Sequence, residues 1–125
     1  MLGERILVVD DEVLNLKLAR VVLTKAGYVV ETAIDAESAF ERMAAARPRL
    51  VLTDLMLPVT DGFQLTAMIK HDPRYRDIPV IACTASGLTR DQDRARAAGC
   101  DAYLQKPLEL ELLLATISRL ITSAG

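Results

Sequence analysis

The chain of 125 residues has only two cysteines, Cys83 and Cys100, and a formal net charge of −2. It also lacks any apolar run of the ~18 residues that a membrane helix needs. Each shortage excludes something. The cysteines do not have metal-binding spacing, and Cys83 falls inside an apolar strand pattern, where it reads as a small core residue rather than a disulfide partner. Without a long apolar run, no membrane contact is expected. The opening Met1-Leu2-Gly3-Glu4-Arg5 lacks the apolar segment of a secretory leader. A slightly acidic balance argues against nucleic-acid binding, which needs clustered Lys and Arg. Together these features predict a cytoplasmic protein in a reducing compartment.

What is present is ordinary for a globular protein: 51% hydrophobic and 26% charged residues, enough for one domain, 1–125, with its own core. Strand and helix signals alternate. Residues 5–10 read as a buried strand and 13–26 as a helix with Leu14, Leu18, Val21 and Val22 on its apolar stripe, widened by Leu16, Ala19 and Leu23. Gly27 stops that helix. Residues 28–33 form a less apolar, edge-like strand. Asp35 caps a helix over 36–46 built on Ala39, Phe40 and Met43. A strand at 50–54 precedes a loop bracketed by Pro58 and Gly62. A helix over 63–71 follows, with Phe63, Leu65, Met68 and Ile69 apolar. Val80–Thr84 is the fourth strand. Thr89 and Gln92 have capping-box spacing for a helix ending at Ala98 and closed by Gly99. Residues 101–105 are the fifth strand, and Leu110, Leu113, Leu114, Ile117 and Leu120 share a face of the last helix. The tail 122–125 reads as frayed or as a cut linker.

Five strands each followed by a helix predict a doubly wound parallel sheet, order 2-1-3-4-5, in three α/β/α layers. Ligands bind such sheets beyond the carboxyl ends of the strands, where the order switches. There the first strand ends in Asp10-Asp11-Glu12, the third in Asp54, the fourth in Thr84, and the fifth in Lys106-Pro107. Acids, a hydroxyl and a lysine at matching strand ends suit a metal ion and a phosphoryl group.

These segments, Ile6–Glu12, Asp54-Leu55-Met56-Leu57-Pro58 with Asp61-Gly62, Val80–Ala85 and Tyr103–Pro107, resemble the receiver domain of bacterial two-component response regulators, over essentially the whole chain. The resemblance implies a flavodoxin-like fold and a phospho-accepting role in a two-component system or phosphorelay. The donor would be a histidine kinase or histidine phosphotransfer protein, and the output partner a downstream protein effector. The protein would be a monomer or a phosphorylation-dependent dimer. It further implies Asp54 as phosphoacceptor. Mg²⁺ would be held by Asp10, Asp11, Asp54 and the backbone carbonyl of Met56, with Lys106 and Thr84 on the phosphoryl oxygens. Thr84 and Tyr103 would form the switch, the Lys106–Pro107 bond would be cis, and the output face would be the fourth helix, fifth strand and fifth helix. Leu108 and Leu112, off the main stripe of the last helix, are expected to add apolar docking surface. Met56 and Ser86 flank the site, and an apolar Met56 predicts a phosphoform longer-lived than that of a Met56→Asn variant.

Plainer readings exist for each residue. Asp10 and Asp11 are also ordinary helix-start acids, Thr84 an ordinary β-branched strand residue, and Tyr103 an ordinary core aromatic. His71 and Arg90, Arg94 and Arg96 read as solvated helix positions. Rival functions also separate cleanly. A flavin carrier needs a phosphate-binding loop where Asp10-Asp11-Glu12 stands. A Mg-dependent phosphohydrolase with an aspartate nucleophile needs an acid where Met56 stands. A phosphorylation-independent interaction module would not need the intact site. The expected protein is not an enzyme beyond promoting its own phosphorylation and dephosphorylation.

Overall fold

The computed structural model describes residues 3–85 and 87–124, so Ser86 and Gly125 lie outside the described residues. The elements are β1 Arg5–Val9, α1 Val13–Lys25, β2 Val29–Ala33, α2 Ala36–Ala45, β3 Leu50–Asp54, α3 Gly62–His71, β4 Val80–Thr84, α4 Thr89–Ala98, β5 Ala102–Gln105 and α5 Leu110–Ala124. The strands form one parallel sheet in the order β2-β1-β3-β4-β5.

Alternating residues of each central strand serve opposite faces. Ile6 and Val8 pack with Leu16, Leu23, Leu113 and Ile117, which puts α1 and α5 on one face. Leu7 and Val9 pack with Ala39, Met43, Leu65 and Ile69, which puts α2 and α3 on the other. Covered on both sides, β3 and β4 are buried at every position. A small third cluster, Leu55, Ala82 and Ala95, seats α4.

Several sequence expectations shift. In α1 the buried residues are Leu16 and Leu23, whereas Leu14, Leu18 and Val21 of the expected stripe are 74%, 64% and 65% exposed. Apolar residues surround that helix, so periodicity alone could not choose the face that meets the sheet. Met68 and Leu110 are likewise exposed. Asp35 caps α2 through a reciprocal bond pair with Ser38, as expected. Thr89, in contrast, is already helical: the cap of α4 is Leu88, whose extended backbone sits where a capping residue must, and it has no side-chain acceptor. Gly99, at φ 106°, closes α4 as expected. Residues 122–124 continue α5 rather than fraying from it.

Candidate functional site

Register brings the site together. β1 and β3 pair Val9 with Thr53, so the next residues, Asp10 and Asp54, stand side by side at the carboxyl edge of the sheet. The chain passes from β1 outward to β2 and then back across β1 to β3, so this rim is the switch point of the sheet. Across β4, Thr84 pairs with Gln105, which places Lys106 one step past the same edge. The Lys106–Pro107 bond is cis, and the Lys106 N–H donates to the Thr84 carbonyl at 2.7 Å.

Asp10 and Asp54 are buried, Asp11 exposed. One carboxylate oxygen from each of the three lies within 4.8 Å of the others, a group able to hold a metal ion. Asp10 Oδ1 accepts the Glu12 N–H, while its Oδ2 accepts from Asn15 Nδ2 and from Lys106 Nζ. Asp54 Oδ1 accepts the Met56 N–H at 3.1 Å and Oδ2 accepts from Lys106 Nζ. Neither Asp10 nor Asp11 is the cap of α1, a position held by Glu12. Burial pulls the Lys106 pKa down, but the facing Asp54 and Asp10 outweigh it and leave it raised. Burial pushes the Cys83 thiol up to about 12, which makes it an inert core group as expected.

Thr84 is buried at the end of β4. Tyr103 is half-buried and packs against the Leu55, Ala82 and Ala95 cluster. Met56 turns its side chain outward, 73% exposed, while its N–H faces Asp54. Asn15, and the role of Gly62 beyond a loop and motif glycine, escaped the sequence reading. Asn15 orients Asp10 from the first turns of α1; the only sequence signal was an amide among apolar neighbours. Gly62 lies so close to β3 that a Cβ there would meet the Asp54 carbonyl oxygen at 2.4 Å. Beside Asp54 and Lys106, an apolar cavity of about 300 Å³ opens between α1 and the start of α5, lined by Leu18, Val22, Leu52, Pro107 and Leu113.

Hard oxygen donors at the switch point of a doubly wound sheet, bridged by one lysine, make a site suited to a metal ion and a phosphoryl group. Comparison with known proteins makes this specific: the response regulator receiver domain family matches residues 6–118, and the chain belongs to that family. It is 38% identical over 122 residues to the polar-differentiation response regulator DivK of Brucella ovis, covering 95% of this chain and 97% of that protein. The chemotaxis response regulator CheY4 of Vibrio cholerae superposes with a TM-score of 0.87 at 29% identity, over 94% of this chain and 98% of that one. The receiver domain of a sensor histidine kinase from Pseudomonas aeruginosa, solved with a magnesium ion in its active-site cleft, superposes with a TM-score of 0.88 at 32% identity, over 96% and 98% of the two chains. The protein is therefore a receiver domain of two-component signalling. Among the described residues, no helix is long and apolar enough to cross a membrane.

Proposed function

We propose that Asp54 accepts a phosphoryl group from the phosphohistidine of a histidine kinase or phosphotransfer protein. The observation that supports this best is the convergence of Asp10, Asp11 and Asp54 within 4.8 Å, with Lys106 Nζ bridging two of them. A carboxylate oxygen of Asp54 attacks phosphorus, the P–N bond to the imidazole breaks, and an acyl phosphate forms on Asp54. Lys106 shifts its ammonium from the carboxylates to pair with a phosphoryl oxygen, and the Thr84 hydroxyl donates to another. The donor set is all hard oxygen, which fits Mg²⁺. Asp10, Asp11, Asp54 and the Met56 carbonyl would hold that ion, which supplies charge neutralisation between the carboxylates and the incoming dianion.

Thr84 and Tyr103 act as the switch, and the α4-β5-α5 face carries the output to a protein effector. Leu112, half exposed on α5, is the apolar residue we assign to that face. Incubation with acetyl phosphate and Mg²⁺ tests the reading by intact mass. Wild type gains one phosphoryl group and Asp54→Ala gains none; an equal gain in both, or none in wild type, removes Asp54 from the role.

A further inference from the structure

Helix α4 is held unlike its neighbours. Its sequence, Thr89–Ala98, is strongly polar, and Ala95 is its one buried side chain. On α5, in contrast, Leu113, Ile117, Leu120 and Ile121 are all buried. A single alanine removes little apolar surface from water, so contacts at the rim of α4 weigh heavily in keeping it in place.

Arg94 makes such a contact. Although read from sequence as solvated, its guanidinium carbon stands 4.1 Å from the centre of the Phe63 ring. Its Nη2 is also 3.7 Å from Asp61 Oδ2. One planar cation thus stacks on an aromatic face and pairs with a carboxylate at once, which a lysine cannot do equally well. Both partners belong to the start of α3. Asp61 caps that helix by accepting the Gln64 N–H at 2.9 Å. Gly62, between them, donates its N–H to the carbonyl of Leu55, the residue after Asp54. Phe63 itself leans on the Leu55 cluster. The segment that Arg94 grips is therefore bonded on its other side to the backbone of Leu55, the residue next to the proposed phosphoacceptor.

We propose that Arg94 is a latch: it ties α4 to the Asp61–Phe63 segment and so keeps the output helix in its resting position until the site rearranges. The regulatory half of this proposal rests on the Asp54 reading given above; the latch itself does not. A contact present in one position of a two-position helix biases the equilibrium towards that position, and a helix with little buried surface opens at low free energy.

The test uses the full chain, unphosphorylated, by hydrogen exchange. Arg94→Ala is expected to speed exchange of α4 amides about two- to tenfold, with α2 and α5 unchanged. Phe63→Leu, which keeps apolar bulk but removes the ring face, is expected to produce part of the same effect, and the double variant less than the sum. Equal α4 exchange in Arg94→Ala and wild type, or strictly additive effects, would overturn the latch. For regulation, labelling by acetyl phosphate is expected to be about two- to fivefold faster in Arg94→Ala; an equal or slower rate overturns that half. A wild type that takes no label removes the Asp54 reading and the latch's part in switching, while the exchange comparison still decides whether the latch exists.

Discussion

Lys106 Nζ sits 3.2 Å from Asp10 Oδ2 and 3.2 Å from Asp54 Oδ2, one ammonium shared by two buried carboxylates whose residues are 96 and 52 positions away in sequence. Without a divalent ion, this single charge offsets the mutual repulsion of the acids. Lys106→Met keeps the aliphatic bulk and removes the charge. It is expected to lower stability by about 1–3 kcal/mol in metal-free buffer. Mg²⁺ should recover more stability in the variant than in wild type, because it then relieves a larger repulsion. Urea melts with and without Mg²⁺ measure both. The raised lysine pKa means that this contact stabilises fully below the free-lysine value and is lost only as pH climbs through the raised one. Melts near neutral pH therefore compare fully charged wild type with the neutral variant.

Gly62 makes a second prediction. A Cβ there would meet the Asp54 carbonyl oxygen at 2.4 Å and the Leu55 Cα at 2.6 Å, both backbone atoms that cannot swing aside. Gly62→Ala is expected to cost about 2–4 kcal/mol of stability. It should also weaken Mg²⁺ binding, since the strand end it displaces carries Asp54. Thermal melts and Mg²⁺ titration check the pair of effects; a variant with wild-type values in both would show that the start of α3 can move independently of β3.

Much of this was legible in the sequence for a definite reason. The runs Leu50–Leu52 and Val80–Cys83 are apolar, as a strand covered on both faces requires, and the strands they belong to end in Asp54 and Thr84. Strand order then brought Asp10 beside Asp54 without any knowledge of side-chain geometry. What stayed hidden depended on relations between distant elements. The buried face of α1 could not be chosen because Leu14 and Leu16 are equally apolar; only docking against Val8 and Ile117 selects Leu16. Arg94 looks like any helix-surface arginine until Phe63, 31 positions earlier by the numbering, is found beneath it. Gly62 reads as a loop glycine, and its closeness to Asp54 belongs to the fold of the β3–α3 turn.

The outer edge of β2 gives a third prediction. Residues Val29 and Ala33 bond to the β1 side, so the carbonyls of Val30 and Thr32 face outward, as alternation in a parallel strand demands. Arg20 from α1 donates to the Val30 carbonyl at 3.0 Å, and Arg42 from α2 donates to the Thr32 carbonyl at 3.2 Å. Two arginines, one from each helical layer, thus occupy acceptors that another strand would otherwise use. The double variant Arg20→Ala/Arg42→Ala is expected to self-associate with rising concentration while wild type under the same conditions does not. Light scattering on a sizing column measures this. A variant that matches wild type at every concentration would mean that the exposed carbonyls are adequately served by water.

The last prediction concerns how long the phosphoform survives. Met56 holds Asp54 through its backbone, the N–H donating to Asp54 Oδ1 at 3.1 Å, while its thioether side chain projects outward, 73% exposed. The side chain thus stands at the mouth of the site without a group that can bind and aim a water molecule at phosphorus. An asparagine there keeps the backbone contact and adds both a donor and an acceptor. Hydrolysis of an acyl phosphate is accelerated when the attacking water is held in line, so Met56→Asn is expected to lose its phosphoryl group severalfold faster than wild type, with stability nearly unchanged because the position is exposed. Decay of the phosphorylated mass after donor removal provides the rate. Equal or slower decay in the variant would show that water reaches the phosphorus by a path that Met56 does not border, and would move the control of lifetime to the β4–α4 side of the site.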